Sequence, residues 1–149
     1  MNAFKHWKIM CLVVCVVLFT FSAALPDSAG NGEALWGDWE CLVQTEDEDA
    51  EDFIFFLCFS ESGQVTYVAG WYLSEIACVY TGAYTVENDD VLKLEMTDAE
   101  SSDTMSATYA FTVLEGTLTL TKQSGDGLSY LFEDGVPMVF TAVVPQESE

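Results

Sequence analysis

From Trp36 onward the chain is a succession of short runs rich in Val, Thr, Tyr, Phe and Trp, broken by clusters of Gly, Asn, Asp and Ser, and no stretch carries sustained helical spacing. Such a pattern reads as strand after strand. Leu92, Leu94 and Met96 alternate with Lys93 and Glu95, and Leu118 and Leu120 alternate with Thr117, Thr119 and Thr121. Residues two apart share a face, so these strands have one apolar and one polar side. Tyr109, Phe111 and Val113 alternate in the same way with Thr108, Ala110 and Thr112. Tyr80, Tyr84 and Val86 share a face around Gly82, where a strongly curved strand has room to bend.

Strands are expected near Trp36 to Gln44, Phe53 to Ser60, Gln64 to Leu73, Cys78 to Glu87, Val91 to Thr97, Met105 to Leu114, Thr117 to Lys122, Leu128 to Glu133 and Pro137 to Val143. The turns at Ser60 to Gln64, Glu87 to Asp90 and Glu115-Gly116 have hairpin compositions. Connections this short force antiparallel neighbours. A run of such strands with no helix to cover the apolar face must pack on a second sheet or close on itself. The expected fold class is therefore all-β: a single antiparallel up-and-down β-barrel of about eight or nine strands.

Lys5 and Lys8, the uncharged apolar stretch Ile9 to Phe21 and the small-residue exit Ser22-Ala23-Ala24 form the pattern of a secretory signal peptide. Residues 1–24 are read as that signal, with a retained anchor as the alternative because Ile9 to Leu25 is long enough to cross a bilayer obliquely. Cys11 and Cys15 lie inside the apolar stretch, which argues against lipid attachment at a processed cysteine. Residues 25–32 are read as a linker, 33–144 as the barrel domain and 145–149 as a polar tail. The expected location is extracytoplasmic, secreted or associated with the cell envelope, with no membrane insertion beyond the signal segment.

The chain has no Arg, and beyond the signal only Lys93 and Lys122 stand against all 25 carboxylates. Such a balance repels nucleic-acid backbones and anionic headgroups, so nucleic acid is excluded as a partner. His6, the only histidine, lies in the signal. Its absence from the domain removes Ser-His-Asp and Cys-His catalysis, imidazole bases and histidine metal sites. Paired carboxylates hydrolyse glycosides in some enzymes, but nothing marks a particular pair here. The expectation is a non-enzyme with no catalytic residues, no metal site and no cofactor.

The acidic run Glu46 to Asp52 has six carboxylates in seven positions and leads directly into Phe53-Ile54-Phe55-Phe56-Leu57-Cys58-Phe59. It lacks the central glycine and terminal Glu of a calcium loop, so a solvated loop is favoured over a calcium site. Flanking charge also guards an aggregation-prone strand while the chain is unfolded. That strand is apolar on both faces, whereas a barrel wall buries one, which makes Phe53 to Phe59 the place expected for a protein partner.

Cys41, Cys58 and Cys78 remain after processing, without a Cys-x-x-Cys pair. A first hairpin centred near residue 49 or 50 would set Cys41 opposite Cys58, and a disulfide is expected there, with three reduced thiols as the alternative. Among the aromatics, Tyr67 with Trp71 and Tyr109 with Phe111 have same-face spacing and are the first choices to line a pocket, joined by Trp39 and Tyr84. Small barrels also fill their interiors with such side chains, and that reading stays open.

The opening Leu35-Trp36-Gly37-Asp38-Trp39-Glu40 resembles the Gly-x-Trp start of the first strand in lipocalins and in shorter bacterial lipocalin-like domains. The stretches FxFxLCFSESGQV, GAYTVENDDVLKLEM and YAFTVLEGTLTL look like the successive hairpins of those bacterial domains, so the likeness covers Leu35 to Val143. The resemblance implies that Trp39 packs across the closed end of a barrel and that the turn Glu33 to Trp36 plugs that end. The expected function is that of an exported, non-catalytic lipocalin-like domain binding a small, uncharged or cationic hydrophobic molecule. The alternative is a secreted or envelope-associated protein-interaction module with a filled interior.

Overall fold

A computed structural model describes residues 31–44, 51–72, 74–128 and 134–144. The signal segment, most of the linker, most of the acidic run and the C-terminal tail lie outside the described residues. A short 3-10 helix, Asn31–Leu35, leads into β1 (Gly37–Val43), β2 (Phe53–Phe59), β3 (Gln64–Trp71), β4 (Ile76–Glu87), β5 (Val91–Asp98), β6 (Thr104–Leu114), β7 (Thr117–Gly125) and β8 (Met138–Ala142). Each strand pairs antiparallel with the next, and β8 returns to β1, so the sheet is a closed up-and-down barrel of eight strands. The expected fold class is what the chain adopts.

Alternation dictates the wall. In β5 the buried Leu92, Leu94 and Met96 face in while Lys93 and Glu95 face out, and β7 does the same with Leu118 and Leu120. The inward row of every strand joins one core that runs through Trp39, Phe55, Leu57, Tyr67, Leu94, Tyr109, Leu118 and Phe140. Burying a large apolar side chain is worth about 1.5–3 kcal/mol, so this interior is the main source of stability.

Turns and close approaches give the sheet its curvature. Glu115 and Gly116 both take positive φ, 49° and 75°, as a two-residue hairpin of the primed type requires, and Leu114 pairs with Thr117 across it. At Gly82 the curved β4 runs so close to β5 that a Cβ would lie 2.0 Å from Glu95 O. Register shifts between Ala69 and Gly70 and between Thr108 and Tyr109 tighten the curve further. The expected strand at 128–133 is the exception: Leu128 stands outside any strand, and 129–133 lie outside the described residues.

Candidate functional site at the open end of the barrel

The two ends of the barrel are built differently. At one end the 3-10 helix folds beneath the strands, with Leu35 fully buried and the Trp39 indole Nε1–H donating to Leu35 O at 2.7 Å. Tyr84 seals the same end, its hydroxyl donating to Ser60 O at 2.8 Å and its ring meeting Phe59 edge-on at 5.0 Å. Trp39 and its preceding turn thus close this end as the resemblance implies.

At the other end the inward rows of β1 to β4 finish in Val43, Phe53, Trp71, Cys78 and Tyr80, all only partly buried. Phe53 packs at 5.2 Å from Trp71 and at 6.4 Å from Phe55, which stacks at 6.4 Å on Tyr67, and Tyr67 lies 6.3 Å from Tyr80. A continuous path of rings therefore descends from the rim into the core. Backbone bonds from Tyr72 N to Asp52 O (2.6 Å) and Trp71 N to Glu75 O (3.0 Å) fix the rim.

The segment after β7 reaches into this opening. Leu128 is 94% buried in the core, its N–H donating to Tyr109 Oη at 2.8 Å while Tyr67 Oη donates to Leu128 O at 2.5 Å. Asp126 holds the base of the segment, its N–H donating to Ser106 O (2.8 Å) and its carboxylate accepting from Ser106 N (3.2 Å). Beyond it, Asp134 pairs with the partly buried Lys122 at 2.5 Å. Two interior hydroxyls are thereby satisfied by the chain itself.

Burial and nearby carboxylates set the electrostatics at this end. Burial, and then the neighbouring Asp98, raises the Tyr80 hydroxyl above its ordinary range, with Asp103 and Asp126 adding to the effect. Burial likewise lifts Tyr67 far up, and it pushes Tyr109 up to about 12. Both phenols stay neutral hydrogen-bonding groups throughout the physiological range.

The six aromatics singled out from sequence all face the interior but do not meet. Trp39 and Tyr84 belong to the sealed end, Phe111 packs opposite Leu120 in the body of the core, Tyr67 and Tyr109 hold Leu128, and Trp71 alone reaches the rim. Sequence reasoning missed Leu128, Phe53 and Tyr80. The same-face spacing of Phe53 with Phe55 and of Tyr80 with Tyr84 carried a signal for two of them, whereas nothing local marked Leu128.

The expected Cys41–Cys58 disulfide is corrected by the register. Cys41 pairs with Phe55 and points inward, Cys58 pairs with Asp38 and points outward, and no disulfide joins Cys41, Cys58 or Cys78. Burial raises the Cys41 and Cys78 thiols, which lowers their reactivity. On the outer side of β2 and β3, Ile54, Cys58, Thr66 and Val68 are buried although they stand apart from the core. Phe56, on the same outer side, is only partly buried. Among the described residues no group of three or more His, Cys, Asp or Glu is placed to hold a metal ion.

The fold is a closed eight-stranded antiparallel barrel. A scan of family models finds none that matches, and no curated protein matches either. Among solved structures, the chain is similar to a lipoprotein YedD from Klebsiella pneumoniae subsp. pneumoniae MGH 78578, with a TM-score of 0.41 and 16% identity over 84% of this chain and 81% of that one.

Proposed function

We propose that the protein is an exported, non-catalytic, lipocalin-like barrel that takes a small apolar molecule, neutral or cationic, at its open end. The observation that carries this reading is the contrast between the two ends: inward-facing Phe53, Trp71 and Tyr80 stay partly exposed at one, while Leu35, Trp39 and Tyr84 are buried at the other. Partly exposed aromatic walls with a few hydroxyls are what a small-molecule site needs. The carboxylates around Tyr80 disfavour an anion. Export is supported by the signal pattern of residues 1–24, and a non-catalytic role by a domain without His or Arg.

A neutral apolar dye titrated into the protein should quench or shift the Trp71 emission saturably, and an anionic dye of the same size should bind at least about tenfold more weakly. Trp71→Phe should remove the optical signal while calorimetry still detects binding. Absence of saturable binding of the neutral dye would sink the reading. The competing reading is a protein-interaction module with a filled interior and a partner at the Phe53 to Phe59 strand; a packed interior that takes up no dye would favour it.

A further inference from the structure

The way Leu128 is held says more about the guest than the aromatic rim does. Its N–H goes to Tyr109 Oη and its C=O receives the Tyr67 hydroxyl, at 2.8 and 2.5 Å. These are the two bonds that one residue of an antiparallel strand exchanges with the residue opposite. Here two side chains provide them, one donor and one acceptor, while the isobutyl group packs among core residues. The interior thus makes three contacts that together define an apolar amino-acid residue within a peptide. Leu128 follows Gly127, and the two bonds that anchor Asp126 to Ser106 are separate from those that hold Leu128.

We propose that the open end is a peptide site, selective for a leucine-like residue on a neutral or cationic backbone, and that Leu128 is the chain's own occupant of it. The inference rests on the ligand-binding reading above and names the ligand class. An incoming residue replaces Leu128 bond for bond, its N–H on Tyr109 Oη and its C=O on Tyr67 Oη. Lys or Arg on either side is favoured by Asp98, Asp103 and Asp126 around Tyr80. A hydrocarbon of the same size would fill the apolar space but leave both buried hydroxyls unpaired, which is how a site built on hydrogen bonds rejects an analogue lacking them. The internal occupant lowers the apparent affinity by the fraction of molecules in which Leu128 is seated.

The test uses the full chain, the peptide acetyl-Lys-Leu-Lys-amide, the same peptide N-methylated at leucine, and a neutral apolar dye. Leu128→Gly should bind the parent peptide at least about tenfold more tightly than wild type, since the competitor is gone. In that background N-methylation of the peptide or Tyr109→Phe should each weaken peptide binding about tenfold. Equal binding of parent and N-methylated peptide, with the dye still bound, overturns the peptide inference and leaves the ligand-binding reading standing. Failure of both peptide and dye overturns both. Should Leu128→Gly not fold, hydrogen exchange in the wild type decides: the Leu128 amide should be protected in the free protein and exchange at least about tenfold faster in saturating peptide. An unchanged rate at saturation overturns the proposal.

Discussion

Tyr67 and Tyr109 tie the interior to pH. Burial raises both phenols above their ordinary value of 10.0, Tyr109 to about 12. In the unfolded chain they ionise near 10, whereas in the barrel they remain protonated longer, so the unfolded state loses its protons first as pH rises. The stability they contribute is full below pH 10 and is lost as pH climbs through about 12. Thermal melts between pH 9 and 12 should therefore show a steep fall in Tm, and Tyr109→Phe should make that fall shallower while lowering Tm at neutral pH by removing the bond to Leu128 N. The thiols give a second expectation. No disulfide joins Cys41, Cys58 or Cys78, so a reductant should leave Tm unchanged, and thiol labelling should be slow at the buried Cys41 and Cys58 until denaturant is added. The disulfide expected from sequence failed for a simple reason. Centring the first hairpin at 49 or 50 sets Cys41 opposite Cys58, but the hairpin turns about residue 48, with Cys41 opposite Phe55 and Val43 opposite Phe53. Cys58 then falls three positions along and on the other face, because strand faces alternate with period two.

Among the elements, strands with clean alternation and short turns were legible almost to the residue. β5 was expected to end at Thr97 and ends at Asp98, and β6 starts at Thr104, one residue before the expected Met105. Leu128 departs from the expectation, and 129–133 lie outside the described residues. Leu128 leaves the wall and enters the core, where two phenols 42 positions apart supply the partners a strand would have given. No local pattern encodes a contact between residues 67, 109 and 128. The bend expected at Gly82 does exist, and it makes a sharp prediction. A methyl there would press on Glu95 O and on the Met96 Cα, at 2.0 and 2.7 Å. Gly82→Ala should destabilise the barrel by about 1–3 kcal/mol or more, measured by urea unfolding. The slope of that unfolding transition should stay the same, since the fold and its buried surface do not change.

For the molecule as a whole, charge is the dominant fact. A chain with a formal net charge of −21 repels itself when compact, so added salt should raise Tm until screening is complete. Calcium chloride should do no more than sodium chloride at matched ionic strength if the Glu46 to Asp52 run is a solvated loop, and a larger calcium effect would point to a bound ion. At this scale the sequence revealed architecture and exclusions far better than a ligand. Periodicity and turn spacing are local, and a missing His or Arg is visible anywhere, but the contact that seats Leu128 is brought together from β3, β6 and the segment after β7. The seam adds a consequence of another kind. β1 meets β8 through the pairs Trp39 with Ala142 and Glu40 with Thr141, and Val143 N–H donates to Asp38 O at 2.8 Å, which joins residues about a hundred apart in the chain. Closure therefore needs the last strand: until residues 138–142 are made, β1 and β7 present bare edges and the ring cannot form. The order of the strands thus sets a condition on timing, because no shorter piece of this chain from its N-terminal side can be a barrel.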